Sequence, residues 1–551
     1  LIVTDDQGYG DLGCHGNTKI KTPNIDKFAK ESMQLRHFYV SPVCSPTRSS
    51  LMTGRYNYRT GVVDTFLGRS MMHPDETTIA EILAANGYRT GIFGKWHLGD
   101  NYPLRAMDQG FEVSLVLKGG GLGQPSDIPG DGSYFNPKLL KNGKVVQTHG
   151  YVSDVLTEAA INFVTAKSDK PFFTYLAFNC PHTPLEVKDE DVKPYKAMDL
   201  GLDQFPQIGF PIRGKYSEDD TAKIYGMVSN IDANLGLLFK KLDDAKLADN
   251  TLVIFLTDNG PQQPRWNAGF RGLKGTVYEG GVRVPFYARW PGKFTAGKES
   301  DVVAAHIDVL PTILAACGLA APRNLKLDGI DLLAALKGEN YAPPDRAIYL
   351  QWHRGDLPEL GRACMARGPR YKIVQPLGVQ EGKSVKDAAF ELYDIIADPY
   401  EQKNLAAEKP EIVKAMRAGY ETWFADVKKE RNFQLPRIHL GSDKENPSVL
   451  TRQDMRGPNA GWTPKAHGHW DVFVERPGKY RVTIFMDPTQ RDRTAHVGLG
   501  DATRDMQFGA NKSSAMAEFD WKKGDGPLEA WVKDGKERFA VKYLEVERLG
   551  D

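Results

Sequence analysis

Four short apolar runs in the first half of the chain, residues 1–3, 90–94, 172–178 and 251–256, each stop on polar groups. They are followed by Thr4-Asp5-Asp6, by Lys95-Trp96-His97, by Asn179-Cys180-Pro181-His182 and by Thr257-Asp258-Asn259-Gly260. Apolar runs of that length, without alternation, predict strands buried on both faces. Between them the period changes to that of a helix. Ile79, Ile82 and Leu83 share a face that stops at Gly87, and Leu156, Ala159, Ala160 and Phe163 share another after a cap at Ser153. Ile224, Val228, Ile231, Leu235, Leu238 and Leu242 line a long helix. Strands alternating with helices predict an α/β architecture, a mostly parallel sheet with helices on both faces and ligands bound beyond the carboxyl ends of its strands. The four polar clusters then converge on one site.

Other stretches have a different texture. Residues 101–150 are rich in Gly and Pro with little periodicity, which predicts a long surface excursion beside the site. After Pro344 come short strands at 347–352, 371–375 and 390–393 and a helix at about 410–427. From about Arg437 the chain turns β-rich. Residues 470–474 and 480–486 alternate on either side of Pro477-Gly478-Lys479 and read as a hairpin, and 528–532 and 538–544 add two strands. Three units are expected: a catalytic core at 1–344, a small antiparallel-sheet subdomain at 345–436, and a sandwich-like module at 437–551. Its tryptophans, Trp462, Trp470, Trp521 and Trp531, read mostly as packing residues rather than a sugar-stacking platform.

At 551 residues the chain is long for a single core. Its 71 basic and 70 acidic residues leave a net charge of +1, so no general field favours nucleic acid or an anionic membrane, and any anion site must be local. No run approaches the roughly 18 apolar residues of a membrane span. The five cysteines, Cys14, Cys44, Cys180, Cys317 and Cys364, show no metal spacing and leave disulfide pairing open. The opening on Leu1-Ile2-Val3 is read as the middle of a strand, so residues are expected to precede it.

Asp5, Asp6, Asp258 and Asn259 offer only oxygen, a donor set for a hard divalent cation, Ca²⁺ before Mg²⁺. Cys44 sits in a polar turn, Ser41-Pro-Val-Cys-Ser-Pro-Thr-Arg48, just before a helical run, as a nucleophile would. Cys44-x-Pro46-x-Arg48 followed by Thr53-Gly54-Arg55 resembles the signature of the type I, formylglycine-dependent sulfatases, and Gly94-Lys95-Trp96-His97-Leu98-Gly99 resembles their second signature. The likeness is close to about residue 300 and looser to about residue 427.

The resemblance implies an alkaline-phosphatase-like fold and hydrolysis of a sulfate ester, here of a sulfated poly- or oligosaccharide. Cys44 is oxidised by a formylglycine-generating enzyme. One hydroxyl of the hydrated aldehyde attacks sulfur, and the second expels sulfate to restore the aldehyde. Asp5, Asp6, Asp258 and Asn259, with the modified Cys44, hold Ca²⁺. Arg48 positions the diol, Lys95 contacts sulfate, His97 takes the proton as sulfate leaves, and His182 and Lys274 serve the leaving-group side. Trp352, His353 and Arg354, between two predicted strands, are candidates for the substrate rim. Gly119-Gly-Gly-Leu-Gly-Gln124 lacks the Gly-Lys-Ser/Thr ending of a P-loop and reads as a loop near the pocket. The family setting implies a periplasmic or secreted protein. Two other readings are a phosphonate or phosphate ester hydrolase of the same superfamily, and a carbohydrate-binding protein with an inactive core.

Overall fold

The structure is a computed structural model that describes residues 1–550 apart from 129, 131, 353, 378–383, 386 and 387. Its largest sheet has ten strands: β1 (Ile2–Thr4), β2 (Met33–Tyr39), β3 (Arg89–Lys95), β4 (Val113–Leu117), β5 (Lys138–Lys141), β6 (Lys144–Gln147), β7 (Phe172–Ala177), β8 (Val253–Thr257), β9 (Phe286–Arg289) and β10 (Lys298–Ala305). They lie in the order β10-β2-β9-β8-β1-β7-β3-β4-β5-β6. β8, β1, β7, β3 and β4 are mutually parallel, while β9 and β5 run against their neighbours.

Successive residues of the central strands serve opposite faces, as a two-residue period requires. Val3, Ile92, Tyr175, Ile254 and Leu256 enter one apolar cluster with helices Cys44–Thr53, Ile79–Ala85 and Val309–Ala316. Ile2, Phe93, Leu176, Val253 and Phe255 enter the other with Pro23–Lys30, Val152–Val164 and Glu218–Asp244. The four expected strands are therefore adjacent, and their register sets their ends level: Val3 lies opposite Ala177 and Leu256, and Ala177 opposite Gly94. Gly94 is required here, because a Cβ on it would sit 1.8 Å from the Ala177 carbonyl oxygen.

Three details differ from the sequence reading. Residues 101–150 are not only an excursion, since β4, β5 and β6 extend the sheet from within them. β5 and β6 are short, lysine-bearing and largely exposed, as befits an edge, and carry no buried-strand pattern. Helix Val152–Val164 is entered from Tyr151, not capped by Ser153. The expected hairpin around Pro477 does not form.

The second sheet is antiparallel, β11 (Ile348–Gln351), β12 (Cys364–Arg367), β13 (Tyr371–Gln375) and β14 (Glu391–Asp394), covered by helix Pro410–Arg431. Beyond it two sheets form a sandwich. One contains β15 (Ile438–Leu440), β17 (His469–Val474), β19 (Arg493–Leu499), β20 (Ala502–Phe508), β22 (Gly524–Asp534) and β23 (Glu537–Ala540). The other contains β16 (Ser448–Thr451), β18 (Gly478–Phe485), β21 (Ser514–Trp521) and β24 (Tyr543–Gly550). β17 and β18 follow one another but belong to different sheets, so Trp470, Val472 and Val474 share the core with Tyr480, Val482 and Ile484 instead of pairing with them by backbone hydrogen bonds. Trp470 and Trp521 are buried in that core. Trp531 is covered by His496, stacked at 4.6 Å, and by Arg538 at 4.3 Å. Trp462 packs against Phe66.

Candidate active site

The carboxyl ends of β8, β1, β7 and β3 deliver Asp258-Asn259, Asp5-Asp6, Asn179 to His182, and Lys95 to His97 to one place. The helix Cys44–Thr53 begins there, with Cys44 at its first position and Pro46 in the first turn, where a missing N–H costs nothing. Asp6 and His97 both take positive φ, 60° and 61°, a strained conformation for residues with a Cβ and one that concentrates at functional sites.

Two buried cations, Arg48 and Lys95, and the part-buried Lys274 interleave with three buried carboxylates. Arg48, fully buried, donates to Asp258 Oδ2 from Nε (3.1 Å) and Nη2 (2.7 Å), and to the Lys95 carbonyl (3.0 Å) and Tyr175 hydroxyl (3.3 Å) from Nη1. Burial works against its charge, but Tyr175, Asp258 and Asp5 more than offset that and hold it protonated. Lys95 Nζ lies 2.6 Å from Asp5 Oδ2, and Lys274 Nζ lies 2.6 Å from Asp6 Oδ1. Burial also opposes the charge on Lys274, but Asp6, with Cys44 and Asp5, more than offsets it, so its pKa is raised. Asn259 donates to Asp6 Oδ1 at 2.8 Å, and Asn179 to Asp5 Oδ2 at 3.4 Å.

The orientation of the imidazoles follows from what they touch. His97 Nε2 lies 2.8 Å from the Thr65 carbonyl oxygen, which can only accept, so Nε2 carries the proton and Nδ1 turns a lone pair toward Cys44 Sγ at 3.4 Å. Burial, with Lys95 beside it, holds this ring well below its ordinary pKa and neutral. His182 Nδ1 is committed to the Thr183 carbonyl at 2.6 Å, leaving Nε2 to face Asp6 Oδ2 at 3.7 Å. Burial lowers its pKa against the pull of Asp6 and Asp5. Burial pushes the Cys44 thiol up although Lys95 and Lys274 pull it down, so the sulfur stays protonated and is a poor nucleophile in its own right.

The oxygens test whether a cation belongs here. Asp5 Oδ1, Asp6 Oδ2 and Asn259 Oδ1 are buried without a hydrogen bond, at a cost of a few kcal/mol each if nothing else satisfied them. Asp5, Cys44 and Asp258 offer ligand atoms within 4.8 Å of one another, as do Asp5, Asp6 and His182. Burial and Asp5 together push Asp258 up to about 7, while Asp5 itself, despite its burial, is held down by Lys95 and His182. An oxygen-rich, electron-rich pocket with unsatisfied acceptors fits a hard divalent cation.

The glycine-rich loop lies against both imidazoles. A Cβ on Gly120 would sit 2.7 Å from His97 Cε1, and one on Gly121 would sit 3.4 Å from His182 Nδ1. The proposed rim divides. Trp352 is buried, donates to Asp64 Oδ1 at 2.8 Å and packs under Gly275, next to Lys274. Arg354 lies over Phe66 at 4.5 Å, and His353 falls outside the described residues. Sequence reasoning missed Thr65, Tyr175 and Asn179. Asn179 stood in a strand-end cluster already singled out, whereas Thr65 acts through a backbone carbonyl that carries no residue signal. All five cysteines are unpaired.

Comparison with known proteins shows what the chain as a whole is similar to. The profile of the family described as Sulfatase matches residues 1–319, and that described as N-sulphoglucosamine sulphohydrolase, C-terminal, matches residues 272–422. Arylsulfatase A of Homo sapiens is 32% identical over 471 residues, 76% of this chain and 85% of its own. N-acetylgalactosamine-6-sulfatase of Canis lupus familiaris is 32% identical over 388 residues, 65% of this chain and 68% of its own. The crystal structure of Ps i-CgsB in complex with k-i-k-neocarrahexaose is 31% identical with a TM-score of 0.64, covering 78% of this chain and 93% of that one.

Proposed function

The chain belongs to the sulfatase family, hydrolases of sulfate esters with an alkaline-phosphatase-like fold, and from that premise we propose that it desulfates an oligo- or polysaccharide with formylglycine at position 44 and Ca²⁺ held by Asp5, Asp6, Asp258 and Asn259. The observation that carries this reading is that Asp5, Asp6 and Asn259 each bury an oxygen without a hydrogen bond at strand ends where Asp5 and Asp258 also bring ligand atoms within 4.8 Å of the Cys44 sulfur. The formylglycine hydrate, when present, supplies the attacking oxygen, and the cation polarises the sulfuryl group.

The chain's own groups divide the remaining work. Arg48 and Lys95, both buried, and Lys274, part-buried at the mouth, present fixed positive charge to a tetrahedral anion, where such charge is most effective. His97, neutral and with Nδ1 turned to residue 44, accepts a proton from the group there. His182 has Nδ1–H fixed by the Thr183 carbonyl, so Nε2 is the atom turned to the leaving-group side, where it donates to the departing alcohol only as the imidazolium. Lys274, kept charged by Asp6, stabilises that alcohol's developing charge without giving up its own proton.

A saccharide, not a small phenol, is favoured by the surroundings. A groove of about 540 Å³ lined by Phe210, Arg213, Trp266, Phe270, Arg271 and Leu273 runs beside the Lys274 loop, and Arg354 stands over Phe66. Both offer aromatic faces and cations to a sulfated chain. The solved relative Ps i-CgsB was crystallised with a neocarrahexaose. Among the described residues no helix is long and apolar enough to cross a membrane, and we assign the enzyme to the periplasm or the exterior, where such polymers are met.

The test is expression with a formylglycine-generating enzyme. The peptide carrying residue 44 should be about 18 Da lighter than its thiol form, the change expected when the nucleophile's precursor becomes an aldehyde. Sulfated oligosaccharides should then be turned over in preference to 4-nitrophenyl phosphate, with no turnover by Cys44→Ala. Full activity in Cys44→Ala sinks the reading. Preference for the phosphate ester would favour the phosphoesterase alternative.

A further inference from the structure

His97 is aimed by a carbonyl, and that carbonyl is held from the far end of the chain. Thr65 O accepts His97 Nε2–H at 2.8 Å and also the Gln453 side-chain amide at 3.0 Å, from a residue 388 positions away in the sandwich. Gln453 is almost fully buried and sits in the single turn Arg452–Asp454 that follows β16, where the Thr451 hydroxyl accepts its backbone N–H at 3.3 Å. Its amide also approaches Ser70 Oγ at 3.4 Å, and its carbonyl accepts Gly68 N–H at 3.0 Å. Arg456 donates to the Leu67 carbonyl at 2.9 Å, Trp462 packs edge-on to Phe66, and Met71 enters the sandwich core. Every one of these contacts falls on 65–71, the loop that carries the carbonyl.

The geometry points to Gln453 as a positioning residue for the reaction, and to the sandwich as a structural part of the active site that fixes the His97 tautomer through Thr65. A backbone carbonyl with two N–H donors is pinned in direction. With one donor it is free to rotate with its loop, and the imidazole that follows it loses the single tautomer whose Nδ1 lone pair faces residue 44. The inference rests on the role given above to His97, and its test is built to fail separately from that reading.

Two variants of equal size carry the test: Gln453→Met, which removes the donor, and Gln453→Glu, which replaces it with an acceptor facing a carbonyl. The first readout is ¹⁵N NMR of the histidine rings in protein whose Cys44 is unmodified, with His97 assigned by its loss in His97→Ala. Wild type should show His97 as one Nε2–H tautomer, and both variants a mixture. The second is steady-state turnover of a sulfate ester by the matured enzyme. The expected result is a kcat lowered about 10-fold in Gln453→Met and further in Gln453→Glu, with KM and the extent of Cys44 conversion unchanged in both and the unfolding temperature unchanged in Gln453→Met. A single tautomer in both variants, unchanged kcat, or a loss in Gln453→Met explained by lowered unfolding temperature or lost conversion overturns the proposal. Absence of sulfatase turnover in wild type, with the tautomer shift seen as described, would sink the assigned reaction and leave this inference standing.

Discussion

Two of the ionic clusters buried among the described residues are of similar make-up, and they differ in what their oxygens lack. In the first, beyond the strand ends, Asp5 Oδ1, Asp6 Oδ2 and Asn259 Oδ1 have no hydrogen-bond partner. The second lies between the large sheet and the small antiparallel sheet. There Lys372 Nζ lies 2.8 Å from Glu279 Oε1 and 2.9 Å from Glu401 Oε1. Glu279 Oε2 accepts from Tyr39 at 3.0 Å, and Glu401 Oε2 from the Glu279 N–H at 2.7 Å. Three of the four carboxylate oxygens of the second cluster accept a hydrogen bond, and Glu401 Oε1, which accepts none, has the Lys372 ammonium 2.9 Å away, so that cluster is neutralised from within and joins two sheets. The first leaves three acceptors at neighbouring strand ends without a donor. Buried charge alone does not mark a function; several unpaired acceptors brought together at the ends of adjacent strands give a reason to look for one.

The comparison predicts opposite responses to removing one member. Lys372→Met leaves Glu279 and Glu401 buried without their shared cation, which should cost about 3–5 kcal/mol of stability. The folded fraction should keep its kcat. Asn259→Ala should do the reverse: Ca²⁺ retention and turnover fall by roughly 10- to 100-fold, as loss of a group at a metal site does, with the unfolding of the metal-free protein little changed. Denaturant unfolding, calcium titration and kcat on the two variants check this. Equal stability losses in both would erase the distinction between the two clusters.

How much of this was legible in the sequence follows the same division. The first cluster is written in contiguous runs, each of two to four polar residues at the end of an apolar strand, so both its members and their convergence can be read from Asp5-Asp6, Lys95-Trp96-His97 and Asp258-Asn259. The second assembles Tyr39, Glu279, Arg367, Lys372 and Glu401 from separate elements, and no local pattern announces it. Gln453 is invisible for the same reason. The β17 and β18 error has another cause: alternation shows that a strand has one buried face, but not which sheet it joins, and both strands bury their apolar residues in one core from opposite sides.

A third buried group sharpens the point because it has no counter-charge. His306 is fully buried beside Ser41, its Nε2 3.0 Å from the hydroxyl, just ahead of the catalytic turn. Burial alone pushes its pKa down to about 3. The unfolded chain, with an ordinary value near 6.5, binds the proton first. Stability contributed by the neutral ring is therefore complete above about pH 6.5 and is lost as pH falls toward about 3, at up to about 1.4 kcal/mol per pH unit. His15 and His37, each pushed down to about 4 chiefly by burial, add to the same acid limb. Denaturant unfolding between pH 7 and pH 5 should show a shallower loss in His306→Asn than in wild type. Parallel curves would mean that the folded ring takes up its proton over the same range as the unfolded one.

The smallest expected effect separates the edge of the first cluster from its centre. Trp352 and Arg354 are neighbours in sequence, yet Trp352 is fixed under Gly275 and bonded to Asp64, while Arg354 rests on Phe66, with which Arg69 and Trp462 also pack. Arg354 is only partly buried, and a cation over an aromatic ring at a pocket edge keeps its N–H donors available to an anionic sugar. Arg354→Ala should therefore leave hydrolysis of 4-nitrophenyl sulfate unchanged, since a phenolate leaves readily and needs no placement beyond the sulfate itself. Turnover of a sulfated oligosaccharide should fall about 10-fold in kcat/KM, or about 1.4 kcal/mol of transition-state binding. Equal losses on the two substrates would mean that Arg354 supports the 65–71 loop and through it His97, which would move it from the rim to the same positioning network as Gln453.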